Sequence, residues 1–308
     1  MLKRYKKNPI LTPSKNPWES RLVSNPAAIY LGGKIHLLYT AWGKDRKVRL
    51  GYASTSDGLH IDERLDQPIF YPQEKDFEDQ GTEDPRLTLL GNKIYLTYTA
   101  KLTEKGICRP AISSISQKDF LAKNWNWSEH RLLLPEHIES NRNVVIFPEK
   151  IKGKYVMYHR PIFLKDIGSI WVAYSYDLKH WFGHKKIAGP RPGMWDDAKI
   201  GAGPPPIKLK DCWLLIYHGV HKRDWSYSLG VMLIALDNPE EILYRSDKPI
   251  LRPEKDYELR GTSSKVVFSC GAVLVNTQLF VYYGAADKVI GVSTTAPITD
   301  FWSVVRLK

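Results

Sequence analysis

The sequence predicts an all-β fold: a five-bladed β-propeller with about four strands per blade, residues 1–308 forming a single domain. Three observations predict it. Five segments share one grammar, they recur at a nearly fixed period, and no long helical pattern separates them. The segments are NPAAIYLGGKIHLLYTAW (25–42), DPRLTLLGNKIYLTYTA (84–100), FPEKIKGKYVMYHRP (147–161), GPPPIKLKDCWLLIYHGV (203–220) and CGAVLVNTQLFVYYGAAD (270–287). Each enters on a small residue or proline, runs through a short apolar strand and a turn, and ends a second strand on Tyr or His. Those end positions are Tyr39, Tyr98, His159, Tyr217 and Tyr283, spaced 59, 61, 58 and 66 residues apart.

The rest of each unit repeats as well. RLGYASTSDGLHI (49–61), AISSISQKDF (111–120), IWVAYSYDLKHW (170–181), SLGVMLIALDNPEEI (228–242) and VIGVSTTAPITDF (289–301) read as period-2 strands followed by an Asp-containing turn. A third phrase closes the unit: PIFYP (68–72), RLLLP (131–135), KIAGP (186–190) and PILRP (249–253). A further copy, PILTP (9–13), precedes the first unit, so the N-terminal segment is expected to complete the last blade and close the ring. A β-sandwich has no reason for a 60-residue period.

Composition narrows the function. The 308 residues include 45 Lys and Arg against 33 Asp and Glu, a net charge of +12, which favours an anionic partner. Nucleic-acid binding would need basic runs, and the one dense run, Lys3-Arg4-Tyr5-Lys6-Lys7, reads as a solvated tail. A small anion such as phosphate needs only a few charges. The 10 Trp and 17 Tyr suit sugar faces, and suit β-sheets equally. Cys108, Cys212 and Cys270 are far apart and lack metal-ligand spacing, which points to thiols in a reducing compartment. Neither a signal peptide nor a membrane span is read, so the expected location is cytoplasmic.

Repeat register predicts where chemistry would sit. If the first strands of the units line a common channel, Asn25, Asp84, Glu149, Gly203 and Gly271 converge, and Thr40, Arg160, His218 and Asp287 return to the same mouth. Three polar clusters stand out. In Gly81-Thr82-Glu83-Asp84-Pro85-Arg86, proline holds Asp84 extended and Arg86 projects from the same strand face. The second cluster is Arg142 with His159-Arg160. The third is Lys199 with Tyr217-His218. Singly, each charge suits a structural ion pair. Together, three cations and a His at one mouth call for an anion, and Arg suits phosphate. Walker A, dinucleotide and Gly-x-Ser-x-Gly patterns are absent, and no metal spacing is found.

At these residues the chain resembles glycoside hydrolase family 130, the inverting β-mannoside phosphorylases and their hydrolytic relatives. The resemblance runs through SNPAA (24–28), LGYASTSDG (50–58), GTEDPR (81–86), FPEKIKGKYVMYHRP (147–161), KIGAG (199–203), YHGV (217–220), NPEEIL (238–243) and YYGAAD (282–287). It implies a five-bladed propeller that transfers a non-reducing β-mannosyl residue of a mannoside to inorganic phosphate, giving α-D-mannose 1-phosphate, with no cofactor or metal. It makes Asp84 the proton donor and Arg142, Arg160, Lys199 and His218 the phosphate site. It makes Asn25, Arg49, Glu83, Arg86, Tyr217 and Asp287 sugar or substrate contacts, with the charge of Arg86 committed elsewhere, for instance to Glu83.

Chemistry separates the phosphorylase from its rivals. An inverting hydrolase needs a second carboxylate about 6.5–9.5 Å from the acid to activate water, a role open here to Glu149 or Asp287. Phosphate is already a nucleophile, so a phosphorylase replaces that carboxylate with cations. A non-catalytic binding propeller would need neither. Two departures concern the acceptor: Thr40 stands where many members carry Arg, and residues 100–142 form a long segment with Trp125-Asn126-Trp127. Exposed aromatics in 120–130 would permit a homo-oligomeric interface.

Overall fold

The computed structural model describes residues 2–102, 106–135, 140–162, 166, 168–295 and 297. Its strands fall into five antiparallel units, I to V. A two-residue strand, β1 (Lys3–Arg4), comes first. Unit I contains β2 (Leu22–Leu31), β3 (Lys34–Trp42), β4 (Val48–Thr55) and β5 (Glu63–Arg64). Unit II contains β6 (Gly81–Leu90), β7 (Lys93–Lys101), β8 (Cys108–Ser116) and β9 (Arg131–Leu132). Unit III contains β10 (Asn141–Ile146), β11 (Tyr155–Pro161), β12 (Ile170–Ser175) and β13 (Phe182–Ala188). Unit IV contains β14 (Lys199–Ala202), β15 (Ile207–Lys208), β16 (Trp213–Val220), β17 (Tyr227–Ile234) and β18 (Ile242–Arg245). Unit V contains β19 (Val267–Val275), β20 (Gln278–Ala285) and β21 (Val289–Thr294). Strands within a unit pair along the chain, and units I and II are joined by one parallel pairing, Val48 with Gly81. Residues 296 and 298–301 of the last repeated phrase lie outside the described residues.

The N-terminus belongs to the last unit. β1 pairs with β21, Lys3 opposite Thr294 and Arg4 opposite Ser293. The repeated phrases explain why. Phe70 of PIFYP bridges Leu50, Leu251 of PILRP bridges Leu229, and Leu11 of PILTP bridges Ile290. Each phrase therefore docks on the strand that follows the Tyr-bearing strand of a unit, β4, β17 or β21, and the first copy serves unit V. The basic run is accordingly not a solvated tail, because Lys3 and Arg4 are strand residues.

Five of the apolar cores lie between adjacent units. Leu38 and Tyr52 of I meet Leu96 and Ala111 of II. Ile112 of II meets Val144 and Met157 of III. Val145 and Val172 of III meet Leu215 and Met232 of IV. Ile216 and Val231 of IV meet Val281 and Tyr283 of V. Tyr282 and Val292 of V meet Leu37 and Ala53 of I. An inner strand is thus covered on both faces, so β2 and β16 are almost wholly buried, whereas the fourth strand β13 is largely exposed. This is why the inner strands read as continuous apolar runs instead of strict alternation. Trp125 and Trp127 also turn inward, against Tyr52 and Phe70, so they do not form the exposed aromatic surface expected of that segment.

The recurring Tyr has a structural cause. In four units its hydroxyl donates to a fully buried carboxylate on the segment before the first strand, and a basic side chain from the outer edge of the unit binds the same carboxylate. The sets are Tyr39–Glu19–Arg64, Tyr98–Glu78–His130, Tyr217–Asp196–Arg245 and Tyr283–Glu258–Arg4. Each set ties the entry of a unit to its outer edge. Removing one partner of such a buried pair strands a charge and costs about 3–5 kcal/mol.

Candidate active site

Three first strands carry the same irregularity. Asn25, Asp84 and Asn143 have φ of 49°, 54° and 57°. Each sits at a break in pairing register, between Ser24 and Ala27, Glu83 and Arg86, and Arg142 and Val145. Asn and Asp tolerate this left-handed conformation better than other side chains, and a bulge re-aims the side chain it carries. All three line one cavity of about 550 Å³, together with Glu83, Arg142, Arg160, His218 and Asp287. Asp84 is therefore bulged, and not extended as the following proline suggests.

Asp84 is buried, and Asn25 Nδ2 donates to its Oδ1 at 2.7 Å. The Asp84 N–H donates to Thr40 Oγ1 at 3.0 Å. Arg86 does not enter the cavity. It is 1% exposed and braces inner strands, donating to the carbonyls of Gly203 at 2.8 Å, Asp84 at 2.8 Å and Ala202 at 3.3 Å. Its charge is spent on backbone oxygens and not on Glu83. Glu83 instead faces Lys101 at 3.2 Å and Arg142 at 3.4 Å.

The basic side chains expected to hold an anion come from units III and IV. Arg160 Nε donates to Asn143 Oδ1 at 2.7 Å. Burial, and then the like charge of Arg142, pull Arg160 down to about 10. Burial opposes the charge of Arg142 too, but Glu83 and Cys108 outweigh it and hold Arg142 above its ordinary value. His218, packed against Phe268 and Tyr227, is pushed well below the usual imidazole range by burial, then by Arg160, Arg86 and Lys199. Gly201 makes room for it: a Cβ there would lie 2.5 Å from His218 Cε1 and 2.6 Å from Asn143 Oδ1. Lys199 is not among the cavity-lining residues. Its Nζ stands 5.6 Å and 5.1 Å from the ring centres of Trp225 and Tyr227, which do line the cavity.

The opposite wall holds Asp287, whose Oδ2 accepts from Ser263 Oγ at 2.5 Å. Burial, reinforced by Asp84, pushes its carboxyl up. Burial followed by Asp84 does the same to Glu83.

Several expected site residues lie elsewhere. Glu149 is in an exposed turn, paired with Lys208 at 2.6 Å, so it cannot act as a base in the cavity. Aligning the register on FPEK misplaces it, because the first strand of unit III is NRNVVI. Gly203 and Gly271 pack between inner strands, the latter against the backbone of Ala27 and Ala28. Tyr217 is fully buried in its carboxylate set. Arg49 pairs with Asp45 at 2.5 Å, and its neighbour Arg46 lines the cavity. The sequence reading missed Asn143, Tyr227, Trp225 and Ser263. Asn143 had a signal, since Asn25, Asp84 and Asn143 follow one another at 59-residue intervals.

The chain is similar to known proteins over nearly its whole length. A 1,2-β-oligomannan phosphorylase of Thermoanaerobacter sp. (strain X514) is 40% identical over 301 residues, 95% of this chain and 96% of the relative. A β-1,2-mannobiose phosphorylase of the same organism is 41% identical over 313 residues, with 95% and 96% covered. The solved β-1,2-mannobiose phosphorylase from Listeria innocua, in complex with β-1,2-mannobiose, superposes with a TM-score of 0.85 at 26% identity, covering 100% of this chain and 99% of that one. The model of glycoside hydrolase family 130, described as beta-1,4-mannooligosaccharide phosphorylase, matches residues 1–304, and the chain belongs to that family.

Proposed function

We propose that this chain is an inverting β-mannoside phosphorylase. It would transfer the non-reducing-end β-mannosyl residue of a mannooligosaccharide to inorganic phosphate, releasing α-D-mannose 1-phosphate. The observation that carries the reading is the convergence of Arg142, Arg160 and His218 in the cavity that holds Asp84. Asp84 gives its proton to the leaving oxygen, directly or through a sugar hydroxyl, while a phosphate oxygen attacks the anomeric carbon from the opposite face. The reaction is a glycosyl transfer, and it calls for no cofactor beyond phosphate as co-substrate. Asn25 and Asp287 would hold the mannosyl unit, and Asn143 and Tyr227 would join the phosphate side.

The five units are, in our reading, the blades of one propeller spanning the chain. The cyclic order of the cores between units and the pairing of β1 with β21 support it. The two relatives at 40% and 41% identity are named for β-1,2 linkages, which makes β-1,2-mannobiose the substrate to try first. A cytoplasmic location accords with three buried thiols, and no helix among the described residues is long and apolar enough to cross a membrane.

A hydrolytic reading would rest on Asp287, the candidate base that remains in the cavity. Incubation with β-1,2-mannobiose with and without phosphate separates the two. Phosphorolysis gives mannose 1-phosphate only when phosphate is present. Release of free mannose at equal rates in both would overturn the proposal. Asp84→Asn should cut turnover by about 10²–10⁴-fold with the fold intact, and wild-type turnover in that variant would remove Asp84 as the acid.

A further inference from the structure

Asn25 touches Asp84 through an amide whose two ends differ only in what they meet. On one side Nδ2 donates to Asp84 Oδ1 at 2.7 Å. On the other, Ser24 Oγ lies 2.7 Å from Asn25 Oδ1, and a hydroxyl facing a carbonyl oxygen donates. Ser24 is 2% exposed, which shields it from competing water. Gly284 closes the space behind both residues. A Cβ at that position would stand 2.2 Å from Asn25 Oδ1 and 2.5 Å from Ser24 Oγ. The equivalent places in units II and III, just before the left-handed residue, hold Glu83 and Arg142. The small hydroxyl is therefore particular to the unit that faces the acid.

We propose that Ser24 is a positioning residue for acid catalysis. It fixes the Asn25 amide so that an N–H caps Asp84 Oδ1, which leaves Oδ2 as the oxygen that carries and delivers the proton. The inference rests on Asp84 being the acid. Without the Ser24 hydroxyl the amide is free to turn. Its oxygen then faces the acid and accepts a hydrogen bond from the carboxyl O–H, which holds the proton away from the leaving oxygen. In the step concerned, the bond from phosphate oxygen to anomeric carbon forms as the glycosidic C–O bond breaks. The leaving oxygen keeps the electron pair and takes the proton of Asp84.

The test is Ser24→Ala, assayed on β-1,2-mannobiose and phosphate in light and heavy water, beside Asp84→Asn. The expected result is a fall in kcat of about 10- to 100-fold, within the range that general acid catalysis supplies. Both KM values should stay within about twofold, and the solvent isotope effect on kcat should exceed that of the wild type, because proton delivery becomes limiting. A merely structural role would lower the thermal midpoint without changing the isotope effect. Wild-type kcat, or an unchanged isotope effect, overturns the role of Ser24. If Asp84→Asn retains wild-type turnover, the acid itself is misassigned, whatever Ser24→Ala does; if Asp84→Asn is inactive and Ser24→Ala is normal, only the present inference fails.

Discussion

Replacing Arg160 with Ala should weaken phosphate binding far more than mannoside binding. Arg160 is 7% exposed, and its Nε donates to the neutral amide of Asn143. A hydrogen bond from a charged donor to an anion contributes about 1.5–3 kcal/mol. At about 1.4 kcal/mol per tenfold, its loss raises the KM for phosphate roughly 10- to 100-fold. The KM for mannoside should remain within about twofold, because Asn25, Asp84 and Asp287 are untouched. The sign of the pH dependence follows from burial. Arg160 is held down to about 10, so its charge is lost as pH rises toward that value. Wild-type phosphate affinity should therefore decline on the alkaline side, and bound phosphate should oppose the decline by stabilising the protonated guanidinium. The assay is initial-rate release of mannose 1-phosphate against phosphate concentration at several pH values. A variant with the wild-type phosphate KM, or with both KM values raised equally, would refute the placement of phosphate at Arg160.

Three further variants test the corrections to the site and to its supporting sets. Tyr217→Phe should leave both KM values unchanged, while Arg245→Ala, which leaves buried Asp196 paired with Arg191, should cost less than the roughly 3–5 kcal/mol of a fully stranded charge, seen as a modestly lower thermal midpoint. Raised KM values in Tyr217→Phe would return that residue to the substrate site. Glu149→Gln should keep full phosphorolysis, and a loss of activity beyond about twofold would mean that the exposed turn reaches the reaction.

The repeat was legible because its causes are local and recur. PILTP, PIFYP and PILRP each make the same bridge, and the recurrent Tyr binds a buried carboxylate in every unit that has it. That second cause also explains a misreading. The resemblance makes Tyr217 a substrate contact, but the structural set it belongs to is shared with Tyr39, Tyr98 and Tyr283. The partners Glu19, Glu78, Asp196 and Glu258 each directly follow an aromatic residue, and Glu78 and Glu258 close the matching phrases EKDFE and EKDYE, so the acids left a trace in the sequence, whereas the basic side chain that each one binds required coordinates. Glu149 failed for another reason. Aligning unit III on FPEK took the end of β10 for its start, and the 59-residue spacing to Asn143 would have corrected it. Tyr227 and Trp225 left no such trace, since they reach the cavity from the β16–β17 hairpin, outside the phrases that define the repeat.

The electrostatics of the cavity divide it into two zones with opposite needs. On the side of units III and IV, Arg160 is depressed and His218 is driven far below its usual range, each by burial and then by neighbouring cations. A bound anion relieves both. Glu83 and Asp287, by contrast, are each raised by burial, with the charge of Asp84 adding to it. A proton held within that carboxylate trio relieves them, whereas a second anion would not. Hydrolysis asks for a carboxylate base facing the acid across a water molecule. Phosphorolysis asks for an anion on one side of the anomeric carbon and a proton on the other. The cavity is strained in the sense that the second reaction relieves, and the repeat supplies the means: units I to III present Asn25, Asp84 and Asn143 from one bulge geometry, with Arg142, Arg160 and His218 added from units III and IV.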